Sequence, residues 1–97
     1  MEENEVDKKK PEANNQKFLE VLDEHYTWPD YFHFKFILMD PNKAIDFEEI
    51  FGQEFISSKS SRSGKYLSLT CRKLIQNSEE VLDVYNLVRR IDGVITL

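Results

Sequence analysis

Apolar residues recur along the chain with two different spacings. Residues 31–39 read YFHFKFILM, in which side chains alternate as they do in a strand with one buried face. The face expected to be buried carries Phe32, Phe34, Phe36 and Leu38. Residues 66–74 alternate in the same way and would bury Leu67, Leu69 and Cys71. These two segments are therefore predicted to form the centre of a sheet.

Three other segments place apolar residues three and four positions apart, which is the spacing of an amphipathic helix. They cover residues 13–26, 41–51 and 78–92. Asp40 and Asn77 have the chemistry of helix N-caps, and Glu80, three residues after Asn77, completes a capping-box pattern. Glycine favours helix ends, so Gly52 and Gly93 are predicted to end the second and third helices.

The first helix is predicted to stop before Pro29, because the residue before a proline is pushed towards extended geometry. Trp28, at that position, is interpreted as an anchor that holds this helix on the domain. Residues 1–12 are polar and are predicted to be a disordered tail, since they cannot bury enough apolar surface to offset the entropy of ordering.

With shorter strands at 55–60 and 94–97 and a turn at 61–64, the order is strand, helix, strand, strand, helix, strand. This order predicts an α+β, ferredoxin-like βαββαβ sandwich over residues 30–97, preceded by an N-terminal helix and linker over 13–29. The antiparallel sheet would have the strand order 4-1-3-2, with both core helices on one face. The other face stays open unless the N-terminal helix or a second subunit covers it.

Charge is distributed unevenly over the 97 residues, whose formal net charge is −5. Residues 1–29 hold eight acidic and four basic side chains, whereas residues 30–97 hold ten and nine. A pI of about 5.0 argues against nonspecific nucleic-acid binding, which depends on displacing counterions from phosphates.

A single cysteine, Cys71, excludes an intramolecular disulfide framework and is typical of a reducing compartment. The sequence has neither the pattern of a signal peptide nor an apolar run long enough to span a bilayer. We therefore expect a soluble, cytoplasmic protein with no membrane association.

The stretch at 57–73, SSKSSRSGKYLSLTCRK, combines serine, glycine and basic residues as phosphate-binding loops do. The Walker pattern requires glycine where Lys59 stands, and a hydroxyl residue where Tyr66 stands. The stretch also leads into a strand, so no helix N-terminus would receive a phosphate. It is therefore interpreted as a β-hairpin, and nucleotide hydrolysis is not predicted.

RNA-recognition modules share the predicted topology and stack bases on aromatic residues of the sheet. Tyr31 and Tyr66 are expected on the open face, with basic residues near them, but Ser68 stands where a second ring of the RNA-recognition motif would be. Single-stranded nucleic acid therefore remains the alternative ligand, although a disfavoured one. The candidate binding residues are His33, Lys35, Arg62, Lys65, Tyr66 and Arg72.

No set of residues has the spacing of a catalytic or metal-binding motif. His25 and His33 are eight residues apart across a proline, and Cys71 has no partner at ligand spacing. The acidic residues of the second helix are interpreted as a solvated face. We therefore predict no enzymatic activity, no metal and no cofactor.

Four stretches together resemble the YbeD-like bacterial family of unknown function, over about residues 27–97. They are WPDYFHFKFILM, the acid-rich helix that ends in FGQ, the hairpin SSKSSRSGKYLSLT and the closing NSEEVLDVYNLVRRIDGVITL. Members of that family resemble ACT domains, which are ferredoxin-like regulatory domains that bind small molecules such as amino acids at subunit interfaces. The segment MDPNK departs from the ACT pattern, because it lacks the glycine-rich turn of the ACT ligand site.

The resemblance implies a non-enzymatic regulatory or interaction module whose fold is ACT-like. Its partner would be a second copy of the chain, another protein or a small ligand, and the sequence leaves these alternatives open.

Overall fold

A computed structural model describes residues 15–97 of the chain. The predicted tail at 1–12, and residues 13 and 14 of the first predicted helix, lie outside the described residues. The chain is mixed α+β, with three helices and a four-stranded antiparallel sheet in its described part. The elements are α1 (15–25), β1 (Asp30–Leu38), α2 (Ala44–Phe51), β2 (Ile56–Ser60), β3 (Leu67–Ile75), α3 (Ser78–Val88) and β4 (Val94–Thr96).

The four strands lie in the order β2-β3-β1-β4, and every neighbouring pair is antiparallel. Read from the other edge, this is the predicted order 4-1-3-2. In the register of the central pair, Phe34 lies opposite Cys71 and Phe36 opposite Leu69. The apolar positions of both central strands therefore fall on one face of the sheet, as their alternation predicted.

All three helices contribute buried side chains to the core on that one face. The fully buried side chains of the central strands include Phe34, Phe36 and Leu38. The ring of Phe34 lies 5.3 Å from Tyr85 of α3 and 5.5 Å from Phe51 of α2, measured between ring centroids. The complete buried cluster is Leu22, Phe34, Phe36, Leu38, Phe47, Phe51, Leu69, Cys71, Ile75, Val81, Val84 and Val88.

Helix α1 packs on the same side of the sheet as α2 and α3. Leu22 belongs to the buried core, and the ring of Phe18 lies 6.3 Å from that of Tyr85 in α3. The sequence had left open whether this helix covers the second face of the sheet. The structure shows that it does not, because its apolar side is used on the helical layer.

Trp28 holds the end of α1 in place through a short series of aromatic contacts. Its ring stacks on Tyr26 at 5.0 Å, and Tyr26 in turn lies 5.4 Å from Phe32 of β1. The Trp28 indole N–H also donates a hydrogen bond of 2.9 Å to the Asp23 carboxylate. These contacts agree with the interpretation of Trp28 as an anchor.

The two predicted capping residues, Asp40 and Asn77, each accept a backbone hydrogen bond. The Asp40 carboxylate accepts a bond of 3.0 Å from the backbone N–H of Asn42, which opens a 3-10 turn (Pro41–Lys43) that leads into α2. The Asn77 side chain accepts from the N–H of Glu80 at 3.1 Å. The Glu80 carboxylate completes only a variant of the capping box, because it accepts from the N–H of Gln76 instead of Asn77.

The predicted end of the third helix was wrong by four residues. Helix α3 ends at Val88, because the next backbone bonds, from Arg90 to Leu87 and from Ile91 to Val88, span three residues and tighten the chain into a turn. Gly93 adopts a positive φ of 75° in the turn that enters β4. Gly52, in contrast, ends α2 as predicted, with a φ of 91°.

Candidate functional site

The face of the sheet opposite the helices is named here the open face. Its side chains alternate with the core residues along each strand. They are Tyr31, His33, Lys35 and Ile37 of β1; Ser68, Thr70, Arg72 and Leu74 of β3; Ser57 and Lys59 of β2; and Ile95 of β4. None of these residues is acidic. The open face therefore combines basic, hydroxyl and apolar side chains on a surface that no described helix covers.

The strand register brings three of the predicted binding residues together in the middle of this face. His33 lies directly opposite Arg72, and Lys35 lies opposite Thr70. Thr70 also faces Ser57 of the edge strand β2. Side chains opposite each other in an antiparallel pair are about 5 Å apart at Cβ, and diagonal neighbours are about 7–8 Å apart. The basic and hydroxyl side chains are thus concentrated in two adjacent rows across the strands, named here the basic rows. One row is His33 and Arg72, and the other is Lys35, Thr70 and Ser57.

Arg72 lies between two aromatic rings. Its guanidinium carbon is 4.9 Å from the centroid of Tyr31 and 5.5 Å from that of Phe55. A cation over an aromatic face is stabilised by about 0.5–1 kcal/mol at exposed sites. The two rings restrict the guanidinium to a narrow range of positions, which lowers the entropy cost of binding a ligand there.

A cavity of about 320 Å³ opens beside this guanidinium. Its lining includes His33, Ser57, Thr70 and Arg72, with Glu54 also contributing to the wall. The guanidinium presents planar N–H donors that match a carboxylate or phosphate group. The cavity is therefore suited to an oxyanion, and Glu54 limits how much negative charge it can accept.

The other end of the open face is more apolar. Tyr66 lines a second cavity of about 290 Å³ together with Ile37, Lys59 and Ser68. Its backbone is fixed by Ser61, whose hydroxyl accepts from the Tyr66 N–H at 3.1 Å and whose N–H donates to the Tyr66 carbonyl at 2.9 Å. Tyr66 therefore has a defined place beside the basic rows.

The two tyrosines predicted for this face, Tyr31 and Tyr66, are both present there and both more than two-fifths exposed. Tyr31 lies opposite Leu74, and Tyr66 is eight residues from Leu74 along the chain. At about 3.3 Å per strand residue, the tyrosines lie roughly 26 Å apart. This separation is too large for them to stack neighbouring bases of one nucleic-acid strand.

Arg62 and Lys65 lie in the β2–β3 hairpin, beyond the end of the open face. Gly64 adopts a positive φ of 77° in this turn, a left-handed conformation that glycine tolerates and that tight hairpin turns require. Both basic side chains are exposed there. The structure thus places His33, Lys35 and Arg72 in one cluster, Tyr66 at its far end, and the two loop residues outside it.

Cys71 is fully buried on the core side of β3 and has no disulfide partner. Burial raises the pKa of its thiol to about 12, because the thiolate would lose its hydration. Such a thiol is chemically inert at neutral pH. Over residues 15–97, no group of three or more His, Cys, Asp or Glu side chains is placed to hold a metal ion.

Phe55 belongs to the site but was not among the predicted site residues. The sequence placed it at the start of the second strand, whereas it ends a 3-10 turn (Gln53–Phe55) just before β2. The register that pairs Ile56 with Cys71 brings Phe55 opposite Arg72. The signal that could have found it is this side-chain alternation, which puts Phe55 and Ser57 on one face.

A family model described as "Protein of unknown function (DUF493)" matches residues 23–97, and the chain belongs to this family. The match is consistent with the predicted YbeD-like resemblance. A search of curated proteins and a search of solved structures each found no match. Within the described part of the chain, no helix combines the length and apolar character needed to cross a bilayer.

Proposed function

We propose that this DUF493 protein is a non-enzymatic interaction module that binds a protein partner through the open face of a ferredoxin-like sheet. The observation that carries the proposal is that the helices cover only one of the two faces of the sheet. All three described helices pack on one face, while the other presents exposed apolar residues among basic ones. Exposed apolar patches edged by polar residues are typical of protein-binding surfaces.

The exposed apolar residues of this face lie at both of its ends. Tyr31 and Leu74 lie opposite each other at one end, and Ile95 lies opposite Ile37 near the other. Tyr31, Leu74 and Ile95 are each about 45% exposed, so a partner would remove substantial apolar surface from water on binding. This burial would supply affinity, and the basic rows between the two ends would supply specificity.

The ferredoxin-like assignment rests on the βαββαβ element order and on the strand order 4-1-3-2. The ACT-like and regulatory parts of the proposal rest on the resemblance of YbeD-like proteins to ACT domains. In this proposal the module acts in the cytoplasm, where a reducing environment would keep Cys71 a free thiol.

The proposal is tested with two matched charge insertions, Ile95→Glu on the open face and Ile45→Glu on the exposed side of α2. Proteins that co-purify with the native chain from a lysate of its source cells are identified and quantified, and light scattering measures self-association. Ile95→Glu is expected to lower the recovery of a specific partner by at least about tenfold, because a desolvated charge opposes binding. Ile45→Glu is expected to leave recovery unchanged.

Two results would contradict the proposal. One is a strict monomer that retains no protein, and the other is equal recovery with both variants. Dimerisation that Ile95→Glu abolishes and Ile45→Glu preserves would instead identify a second copy of the chain as the partner.

Single-stranded RNA is the second candidate ligand, because Tyr31 and Tyr66 are exposed on the same face as Lys35, Lys59 and Arg72. Fluorescence anisotropy with a labelled oligouridine at about 50 mM salt tests it, since nucleic-acid affinity is strongest at low salt. The separation of the tyrosines predicts no binding. Salt-sensitive binding that Tyr66→Ala weakens would favour the RNA function over the protein-binding function.

A further inference from the structure

We infer that the open face recognises an acidic segment of its partner, and that Arg72 is the residue that binds a partner carboxylate. This inference rests on the proposed protein-binding function and adds the chemistry of the partner. It follows from the sign of the charge on the face, from the fixed position of Arg72, and from the arrangement of hydroxyl groups beside it.

The charge of the open face is opposite in sign to that of the chain. The chain has a formal net charge of −5. The open face, however, carries Lys35, Lys59 and Arg72 with no acidic residue among its strand positions, and His33 lies beside Arg72. Complementary potentials guide association and exclude wrong partners. A partner surface rich in Asp or Glu therefore fits this face best.

The neighbours of Arg72 hold its guanidinium in place and leave its N–H donors available to a carboxylate. Tyr31 and Phe55 lie against the guanidinium at 4.9 and 5.5 Å. None of the side-chain hydrogen bonds among residues 15–97 uses the guanidinium, so its donors are available. An arginine in this state forms two parallel bonds to a carboxylate, which a lysine ammonium cannot reproduce.

The hydroxyl groups of Ser57 and Thr70 extend the site along the sheet. They lie opposite each other in the row next to Arg72, and Lys35 continues this row on the other side of Thr70. Glu54 is the only acidic residue in the lining of the cavity beside Arg72. It would repel a ligand that carries several negative charges close together, and it therefore favours separate single carboxylates over a phosphate dianion.

A second copy of the same face fits this chemistry poorly. In a twofold-symmetric pairing of two open faces, each subunit contributes the same patch. The basic patches of both copies would then lie in one interface, and the repulsion between their like charges would oppose the pairing. The basic rows thus point to a different, acidic protein.

The test uses the full chain and a fluorescein-labelled peptide of alternating Glu and Thr, about twelve residues long, which is long enough to lie across the sheet. A peptide with Gln in place of Glu is the uncharged control, and labelled oligouridine is the nucleic-acid probe. Anisotropy is measured at about 50 mM and about 300 mM salt, because screening weakens exposed charge pairs. We expect the Glu peptide alone to bind, and to bind less tightly at the higher salt.

Variants of two arginines locate the binding. Arg72→Gln is expected to weaken binding of the Glu peptide by at least about tenfold, and Arg72→Lys by at least about threefold, since the lysine keeps the charge but loses the paired donors. Arg90→Gln makes the same charge change in the turn after α3 and is expected to alter affinity by less than about twofold. A thermal melt by circular dichroism confirms that each variant is folded.

Three results would overturn the inference. The first is that the Glu peptide does not bind at low salt. The second is that Arg72→Gln and Arg90→Gln lose equal affinity for that peptide. The third is that the oligonucleotide binds more tightly than the peptide. If the Glu peptide fails while Ile95→Glu still abolishes recovery of a partner, the protein-binding function stands and only the acidic chemistry is wrong. If both experiments fail, the two proposals fall together.

Discussion

The two faces of β1 share one strand but have opposite environments. Phe34 and Phe36 are completely buried beneath the helices, while Tyr31, on the other face of the same strand, is 45% exposed. A side chain on the covered face is packed on all sides, whereas one on the open face, even Arg72 between its two rings, keeps part of its surface in water. Changes on the covered face should therefore alter stability, and changes on the open face should alter binding.

The sharpest test of this difference is Phe34→Ala. Its ring contacts aromatic residues of α2, α3 and β1, so truncation should lower the free energy of unfolding by about 3–5 kcal/mol. Small domains have little stability in reserve, and the variant should be largely unfolded. Chemical denaturation followed by circular dichroism measures the loss. His33→Ala, one residue away on the open face, is the control, and an equal loss there would contradict the comparison.

The buried thiol of Cys71 tests the covered face through pH. Its folded pKa of about 12 is above the ordinary value near 8.5–9, so the thiol stays protonated in both states below about pH 8. Between about pH 9 and 12 the unfolded chain loses this proton while the folded chain retains it. The free energy of unfolding should then fall by up to about 1.4 kcal/mol per pH unit from this group.

Denaturation series over this pH range, for the native chain and for Cys71→Ala, measure that contribution. Burial also raises the pKa of Tyr85, and this group adds a loss of the same sign in both proteins. The native chain should consequently show the steeper decline. Identical slopes would indicate that Cys71 is accessible to solvent, contrary to its place in the core.

Removing the N-cap of α3, at the edge of the covered layer, should lower the free energy of unfolding by less than Phe34→Ala does. Asn77→Ala removes the acceptor for the Glu80 N–H and should lower the free energy of unfolding by about 1 kcal/mol. Asn77→Ser, which restores a capping oxygen, should recover most of this loss. Urea titrations of the three proteins provide the measurement, and a loss that serine does not recover would argue against the capping role.

The smallest expected effect on stability lies on the open face. Arg72→Gln should change the free energy of unfolding by no more than about 0.5–1 kcal/mol, because its cation–π contacts with Tyr31 and Phe55 are partly exposed. Thermal melts measure this change. A loss comparable to that of Phe34→Ala would show that the guanidinium serves mainly to hold the fold together.

Alternation and helical spacing were sufficient to predict much of the architecture. The buried side of each central strand and the caps at Asp40 and Asn77 follow from local pattern, and the structure agrees with them. They are predictable because each depends on residues close in sequence or on one strand face. The position of α1 was not predictable in this way, since Leu22 could pack on either layer.

The candidate site was predicted only in part, for a related reason. Periodicity placed His33, Lys35 and Arg72 on one face, and the strand register brings them next to one another. Alternation puts Phe55 on the same side as Ser57, but its contact with Arg72 also depends on the register of β2 against β3, which spacing does not encode. Similarly, Gly93 was misassigned because a glycine after a helical pattern has the same local signature whether it ends the helix or turns the chain into a strand.

The backbone N–H of Leu97 donates a bond of 3.0 Å to the carbonyl of Lys35, beside the open face. Helix α1, in contrast, packs on the opposite, helical side of the sheet. A fluorophore or affinity tag attached after Leu97 would therefore crowd the surface proposed to bind partners, and one attached to the exposed side of α1 would not. A label on the helical side is thus the better choice for the binding assays.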